Sequence, residues 1–141
     1  INDYFKKFSK VKEYMDTAIQ TAKEEGCVRT LYGRKRAIPE INASQYMVRQ
    51  LGERLAMNTP VQGTAADIIK LAMNKVYDRL EEECTDSKLI LQIHDELIIQ
   101  ANKNEAEKVK DILKESMETA ADLLVKLEVA ENVADNWYDL K

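Results

Sequence analysis

Apolar residues at Tyr4, Phe8, Val11, Met15, Ala18 and Ala22 recur every three or four positions, a spacing that gathers them along one side of an α-helix. Asn2 and Asp3 suit an N-cap and Gly26 suits a helix stop, so one helix is predicted from the chain start to about residue 25. Cys27 to Tyr32 is short and β-compatible. Gly33 opens a basic turn, Arg34-Lys35-Arg36, closed by Pro39. A second helix is predicted from near Asn42 to Ser44, with Tyr46, Met47, Leu51, Leu55 and Asn58 along one side. Pro60 lacks a backbone donor and Gly63 follows closely, so a break between two helices is expected there. A third helix is predicted from about Thr64 to Glu83, with Ala65, Ile68, Ile69, Ala72, Met73, Val76 and Leu80 on a broad inner face.

The period then changes. Lys88 to Ile93 and Glu96 to Ala101 are runs rich in Leu and Ile, separated by His94-Asp95. They predict an antiparallel hairpin whose turn lacks the Asn-Gly signal. A fourth helix is expected from about Asn104 to Leu124, facing inward through Ala106, Val109, Ile112, Leu113, Met117 and Ala120. Lys126 to Ala130 is a candidate last strand, and Trp137-Tyr138 is a candidate aromatic anchor. The expected class is α+β, about four helices packed on a small antiparallel sheet.

Composition narrows this picture. In 141 residues, 45% hydrophobic and 33% charged with only 4 Gly and 2 Pro, the balance is that of a helix-rich globular chain. It excludes disordered and collagen-like classes. The length fits one domain or a piece of one. No apolar run approaches the ~18 residues of a membrane span, and no signal-peptide pattern opens the chain, so no membrane partner is expected. Cys27 and Cys84 cannot build a disulfide framework and are read as reduced thiols of a cytoplasmic protein. A single histidine, His94, excludes a multi-His zinc site.

The net charge of −4 argues against nucleic acid, but its distribution argues otherwise. Residues 1–36 hold 9 basic and 5 acidic groups, a surplus of +4, while the remainder carries −8. A basic N-terminal third could face phosphate.

Three groups of residues could carry chemistry. The first is Gln92-Ile93-His94-Asp95-Glu96-Leu97, where two adjacent carboxylates sit at the tip of an otherwise apolar hairpin. Carboxylate oxygens are the hard ligands Mg²⁺ prefers; the bland alternative is an ordinary solvated turn. The second is Arg54, Asn58 and Gln62, spaced four residues apart. Their donors suit minor-groove acceptors, adenine N3 and thymine O2, or they form a solvated polar face. The third is Arg29 with Arg34-Lys35-Arg36, which could neutralise phosphates or be plain basic surface.

Together, in order, Gly33-Arg34-Lys35-Arg36, Ile38-Pro39-Glu40-Ile41, the stretch ERLAMNTPVQGTAADIIKLAM from Glu53 to Met73, QIHDELI from Gln92 to Ile98, and Asn136-Trp137-Tyr138 resemble the C-terminal part of the family A DNA polymerases. The similarity covers nearly the whole chain. It implies a polymerase palm with fingers-proximal elements at its N-terminal side. It implies that His94-Asp95-Glu96 is similar to motif C: Asp95 one of two aspartates holding a pair of Mg²⁺ ions, Glu96 supporting the site, His94 at the primer-terminus backbone. Arg54, Asn58 and Gln62 match minor-groove readers near the growing end, and Arg34 and Arg36 match nucleic-acid contacts. The implied partners are primer–template DNA, a dNTP and the rest of the polymerase chain, in DNA replication and repair.

The motif A aspartate and the nucleotide-gripping Lys, Arg and Tyr of the fingers do not occur in these residues. The resemblance therefore implies a segment with a cut N-terminus and a natural C-terminus, inactive alone. The last stretch, Leu127 to Asp135, lacks the glycine usual in the family, and Gln45, Gly52 and Gln100 also depart from its pattern. The rival expectation is a non-catalytic helical binding module descended from a polymerase; a phosphohydrolase built on Asp95-Glu96 lacks a further acidic cluster with ligand spacing.

Overall fold

The computed structural model describes residues 2–140. Among the described residues the architecture is α+β, with four α-helices and two separate two-stranded antiparallel sheets. The chain divides into two compact units, the first ending at Ala65 and the second beginning at Ala66.

In the first unit the predicted N-terminal helix is two, α1 (Asn2–Lys7) and α2 (Ser9–Glu25). The division falls at Phe8, whose backbone leaves the helical region at φ −118°, ψ 59°. Gly26 ends α2 in the left-handed conformation, φ 68°, and its amide donates to the Ala22 carbonyl. That is the conformation for which a residue without Cβ is suited. Strand β1 (Cys27–Arg29) pairs with β2 (Lys35–Ala37) in the register Cys27↔Ala37, Val28↔Arg36, Arg29↔Lys35. Two of the three residues of the basic stretch, Lys35 and Arg36, are thus in a strand and not in a turn, while residues 30–34 make the connection. A short 3₁₀ segment, Pro39–Asn42, leads to α3. Ala22, Val28, Ile38, Ile41 and Ala56 form this unit's buried core, with Leu55 packed against it. Ile38 and Ile41 are fully buried, each worth about 1.5–3 kcal/mol of hydrophobic transfer.

The expected break at Pro60 does not occur. α3 runs without interruption from Tyr46 to Glu83, with Pro60 inside it. Proline removes one helical donor, that facing the Ala56 carbonyl, but its neighbours are buttressed. The Tyr14 hydroxyl donates to the Met57 carbonyl at 2.9 Å, and the Thr64 hydroxyl donates to the Pro60 carbonyl at 2.6 Å. The helix starts at Tyr46, later than the pattern suggested, because the 3₁₀ segment occupies residues 39–42.

The second unit packs the C-terminal half of α3 with the hairpin β3 (Lys88–Ile93) and β4 (Glu96–Gln100) and with α4 (Ala106–Glu118). Its core is Ile69, Val76, Leu80, Cys84, Leu97, Val109 and Ile112; Ile69, Val76, Leu80, Val109 and Ile112 are among the residues the periodicity assigned to inner faces. Cys84 is a buried free thiol whose pKa burial pushes up. The hairpin register is Lys88↔Gln100 to Ile93↔Glu96, with an irregularity between Leu89 and Leu91. Outside the core, Arg79 links helices, donating to Glu83 and to Glu115, each at 2.9 Å.

Three expectations for the C-terminal region change. α4 stops at Glu118, where the Lys75 ammonium donates to the carbonyl and the hydroxyl of Thr119. Lys126 to Ala130 is not a strand, since among the described residues β3 and β4 pair only with each other and the segment has no ladder partner. It is tied instead by side chains, with the Glu118 carboxylate accepting from the Val129 amide and Lys114 pairing with Glu131 at 3.0 Å. Trp137 and Tyr138 are exposed, in a 3₁₀ turn spanning Trp137–Leu140, so neither is a buried anchor.

Candidate active site and nucleic-acid interface

Because α3 continues through Pro60, Arg54, Asn58 and Gln62 stand on one unbroken helix. All three side chains are exposed. Helical geometry spreads positions i, i+4 and i+8 over about 80° of the surface and about 12 Å of the axis. That is a narrow strip of hydrogen-bonding side chains roughly as long as three to four base steps.

The recess beside this strip is the first unit's informative feature. About 240 Å³ in volume, it is lined by Thr30, Arg34, Lys35, Arg36, Thr59, Gln62 and Gly63. Residues separated by some thirty positions are thereby brought together: Gln62 from the helix, Arg34 and Arg36 from the hairpin. Arg29 is divided from them, lining a second recess of about 280 Å³ with Tyr14, Thr17, Thr21 and Pro60. Lys35 joins the basic set in the first recess, and Thr30 and Thr59 add hydroxyls. Sequence reasoning missed these threonines because their importance is a long-range contact that leaves no periodic mark.

The recess owes its shape to close approach. A Cβ at Gly63 would lie 2.6 Å from Thr30 Cγ2. The Thr30 hydroxyl accepts from the Arg34 amide at 3.1 Å, and the Leu31 amide donates to Thr64 Oγ1 at 2.9 Å.

In the second unit His94 and Asp95 make the turn of the β3–β4 hairpin, and Glu96 opens β4. All three are exposed. His94 has φ 52°, the one positive value outside glycine among the described residues. His tolerates this region better than most residues, yet it still costs on the order of 1 kcal/mol. The Gln92 side-chain amide donates to the His94 carbonyl at 2.9 Å and closes the turn. Behind it Leu97 is buried in the core. The acidic pair is therefore carried by strand ends anchored in packed apolar residues.

The donor set fits a divalent cation in kind and falls short in number. Asp95 and Glu96 offer hard oxygens open to solvent, the chemistry Mg²⁺ takes while keeping waters. No group of three or more His, Cys, Asp or Glu side chains is placed to hold a metal among the described residues. Nor is any helix among them long and apolar enough to cross a membrane.

The model of the DNA polymerase family A matches residues 1–139. The chain belongs to that family. As a family A polymerase segment it is 49% identical over all 141 residues to DNA polymerase I of Caldicellulosiruptor bescii. It is 48% identical to DNA polymerase I of Geobacillus stearothermophilus and 43% identical to the thermostable DNA polymerase I of Thermus aquaticus, again over its whole length. The chain spans about one-sixth of these relatives, 17%, 16% and 17% of their lengths. A solved structure, the POL domain of Pol1 from M. smegmatis in complex with DNA primer-template and dNTP, superposes with a TM-score of 0.86. It is 38% identical, with 90% of this chain and 22% of that one covered.

Proposed function

We propose that these residues form part of the palm, with fingers-proximal elements before it, of a cytoplasmic DNA-directed DNA polymerase that extends a primer from dNTPs along a template. The observation that carries the reading is the recess that joins Gln62 to Arg34, Lys35 and Arg36. A hydrogen-bonding side chain suited to the minor groove and a cationic cluster suited to phosphates line one recess on a family A chain.

Each group has a distinct task. Arg54, Asn58 and Gln62 hold the newly formed duplex end through acceptors found at similar places in every base pair, so they sense pair geometry and not sequence. Arg34 and Arg36 fix the duplex by its phosphates. His94 contacts the primer-terminus backbone. Asp95, with Glu96 beside it, is the residue that would hold Mg²⁺. When bound, the cation favours the ionised primer 3′-hydroxyl and neutralises the triphosphate. The bond made is from that oxygen to the α-phosphorus; the bond broken releases pyrophosphate. The chain's own contribution is placement: rigid strand ends hold the carboxylates where charge develops. One acidic pair cannot fix two ions, so the isolated 141 residues are expected to be inactive.

The test is template-directed extension of a labelled primer by the full-length polypeptide that carries these residues. With four dNTPs and Mg²⁺, extension to the template end is expected. Binding of primer–template without any extension, at any Mg²⁺ concentration, would favour the non-catalytic binding module.

A further inference from the structure

We infer that Thr64 is a positioning residue: its hydroxyl clamps the basic hairpin loop onto α3, and this sets how many phosphates Arg34, Lys35 and Arg36 neutralise. The inference rests on the nucleic-acid reading of the recess and assigns its geometry to one side chain.

Thr64 Oγ1 makes two bonds at once. It donates to the Pro60 carbonyl at 2.6 Å, within the helix, and accepts from the Leu31 amide at 2.9 Å, within the hairpin loop. The first bond orients the hydroxyl so that its lone pairs are available to the second. Proline one turn earlier bears on this arrangement, because the stretch around it lacks one helical donor and takes support from side chains. Three further contacts hold the same loop. The absent side chain of Gly63 admits the Thr30 methyl, where a Cβ would meet it at 2.6 Å. The Thr30 hydroxyl accepts from the Arg34 amide at 3.1 Å, and the Gly33 amide donates to the Thr30 carbonyl at 2.9 Å. The path from Pro60 to Arg34 therefore runs through Thr64, Leu31 and Thr30. None of these three groups need touch DNA for it to matter.

Across the base of the loop the Thr30 amide also donates to the Arg34 carbonyl at 3.0 Å. Leu31, Tyr32 and Gly33 are exposed, and the flanking ladder is only three residue pairs long. Two-stranded ribbons of that size are marginal on their own. Without the clamp, the cations remain on the chain but lose a fixed register against Gln62. The expected defect is in positioning, not in total charge.

The experiment compares Thr64→Val with Thr64→Ser in the full-length polypeptide. The readout is the Kd for a primer–template duplex, by fluorescence anisotropy over a range of salt concentrations. Valine keeps the shape and removes both bonds; serine keeps the hydroxyl. For Thr64→Val the expected result is a Kd raised roughly five- to tenfold, the worth of a hydrogen bond or two. The slope of log Kd against log salt should also shrink by about one phosphate contact. Thr64→Ser should restore both to near wild type. Thr30→Val, which keeps the methyl packing and removes the acceptor for Arg34, should reproduce the smaller slope. It provides an arm outside the helix should Thr64→Val not fold. Arg34→Ala and Arg36→Ala serve as the reference. If they lower the slope while Thr64→Val and Thr30→Val leave it at the wild-type value, the positioning role is overturned and the interface stands. If Arg34→Ala and Arg36→Ala themselves leave the slope unchanged, the interface reading beneath it is overturned.

Discussion

The Thr30 methyl occupies the space where a Gly63 side chain would be, 2.6 Å from the position of a Cβ. Helix propensity favours alanine over glycine by about 1 kcal/mol, so Gly63→Ala would ordinarily stabilise. Here Thr30 cannot yield cheaply. It is β-branched, it is buried, and its hydroxyl is engaged by the Arg34 amide. Overpacking costs typically 1–3 kcal/mol and should outweigh the propensity gain. Gly63→Ala is expected to lower stability by about 1 kcal/mol, measured by urea denaturation. A stabilised variant would show that the loop is free to move away.

Tyr14 offers a pH-dependent test of the helix around Pro60. Its hydroxyl donates to the Met57 carbonyl, and burial pushes its pKa above the usual 10.0. A raised pKa means the folded form holds its proton longer than the unfolded form. Its contribution is complete below pH 10.0 and falls as pH rises through the higher folded value. Ultraviolet titration should find one tyrosine ionising late, and Tyr14→Phe should remove that late step. Loss of the bond should cost on the order of 1 kcal/mol or less, since the ring is partly exposed. Titration of all tyrosines together near the ordinary value would contradict the placement.

At the other end of α3, Arg79 holds Glu83 below the ordinary carboxylate range, mainly by its hydrogen bond. A depressed pKa stabilises the fold above the unfolded value of 4.5, and that support is lost as pH falls through the lower folded value. Glu83 also pairs with Lys108 of α4 at 3.5 Å, so the protection factors of α4 amides, with intrinsic exchange divided out, should fall below about pH 4.5. Arg79→Ala should flatten the dependence, and an unchanged acid profile in that variant would remove the network from the account.

Much of this was legible in the chain. The Leu- and Ile-rich runs flanking His94-Asp95 gave the hairpin because strand pairing leaves a period of two. Ile69, Val76 and Leu80 gave the inner face of α3 because helix packing leaves a period near 3.6. Pro60 misled: proline is a local signal, and the buttresses from Tyr14 and Thr64 that keep the helix whole come from tertiary contacts. The strand expected at Lys126 to Ala130 failed because a strand needs a partner, which its own residues do not specify. Arg34 and Gln62 were each legible as candidates. Their meeting in one recess was not, since it depends on Gly63 and Thr30.

The strip on α3 should be read through mismatches. Gln62→Ala or Arg54→Ala in the full-length polypeptide should slow extension, by roughly tenfold for a lost hydrogen bond to a base edge. The discrimination between matched and mismatched primer ends should change with it if, as proposed, the lost donor senses pair geometry. Single-turnover kinetics on both kinds of end are the measurement. Identical rates to wild type on both would mark the strip as solvated surface.

The most direct measurement is single-turnover primer extension by Asp95→Asn, which keeps the size of the side chain and removes its charge. If the hairpin apex carries a cation ligand, extension should fall by about a thousandfold or more, as expected for losing several kcal/mol of charge stabilisation. Primer–template affinity and the thermal transition should stay near wild type, since Asp95 is exposed on a turn whose packing is carried by Leu97. Extension by Asp95→Asn at a rate close to wild type would contradict the account.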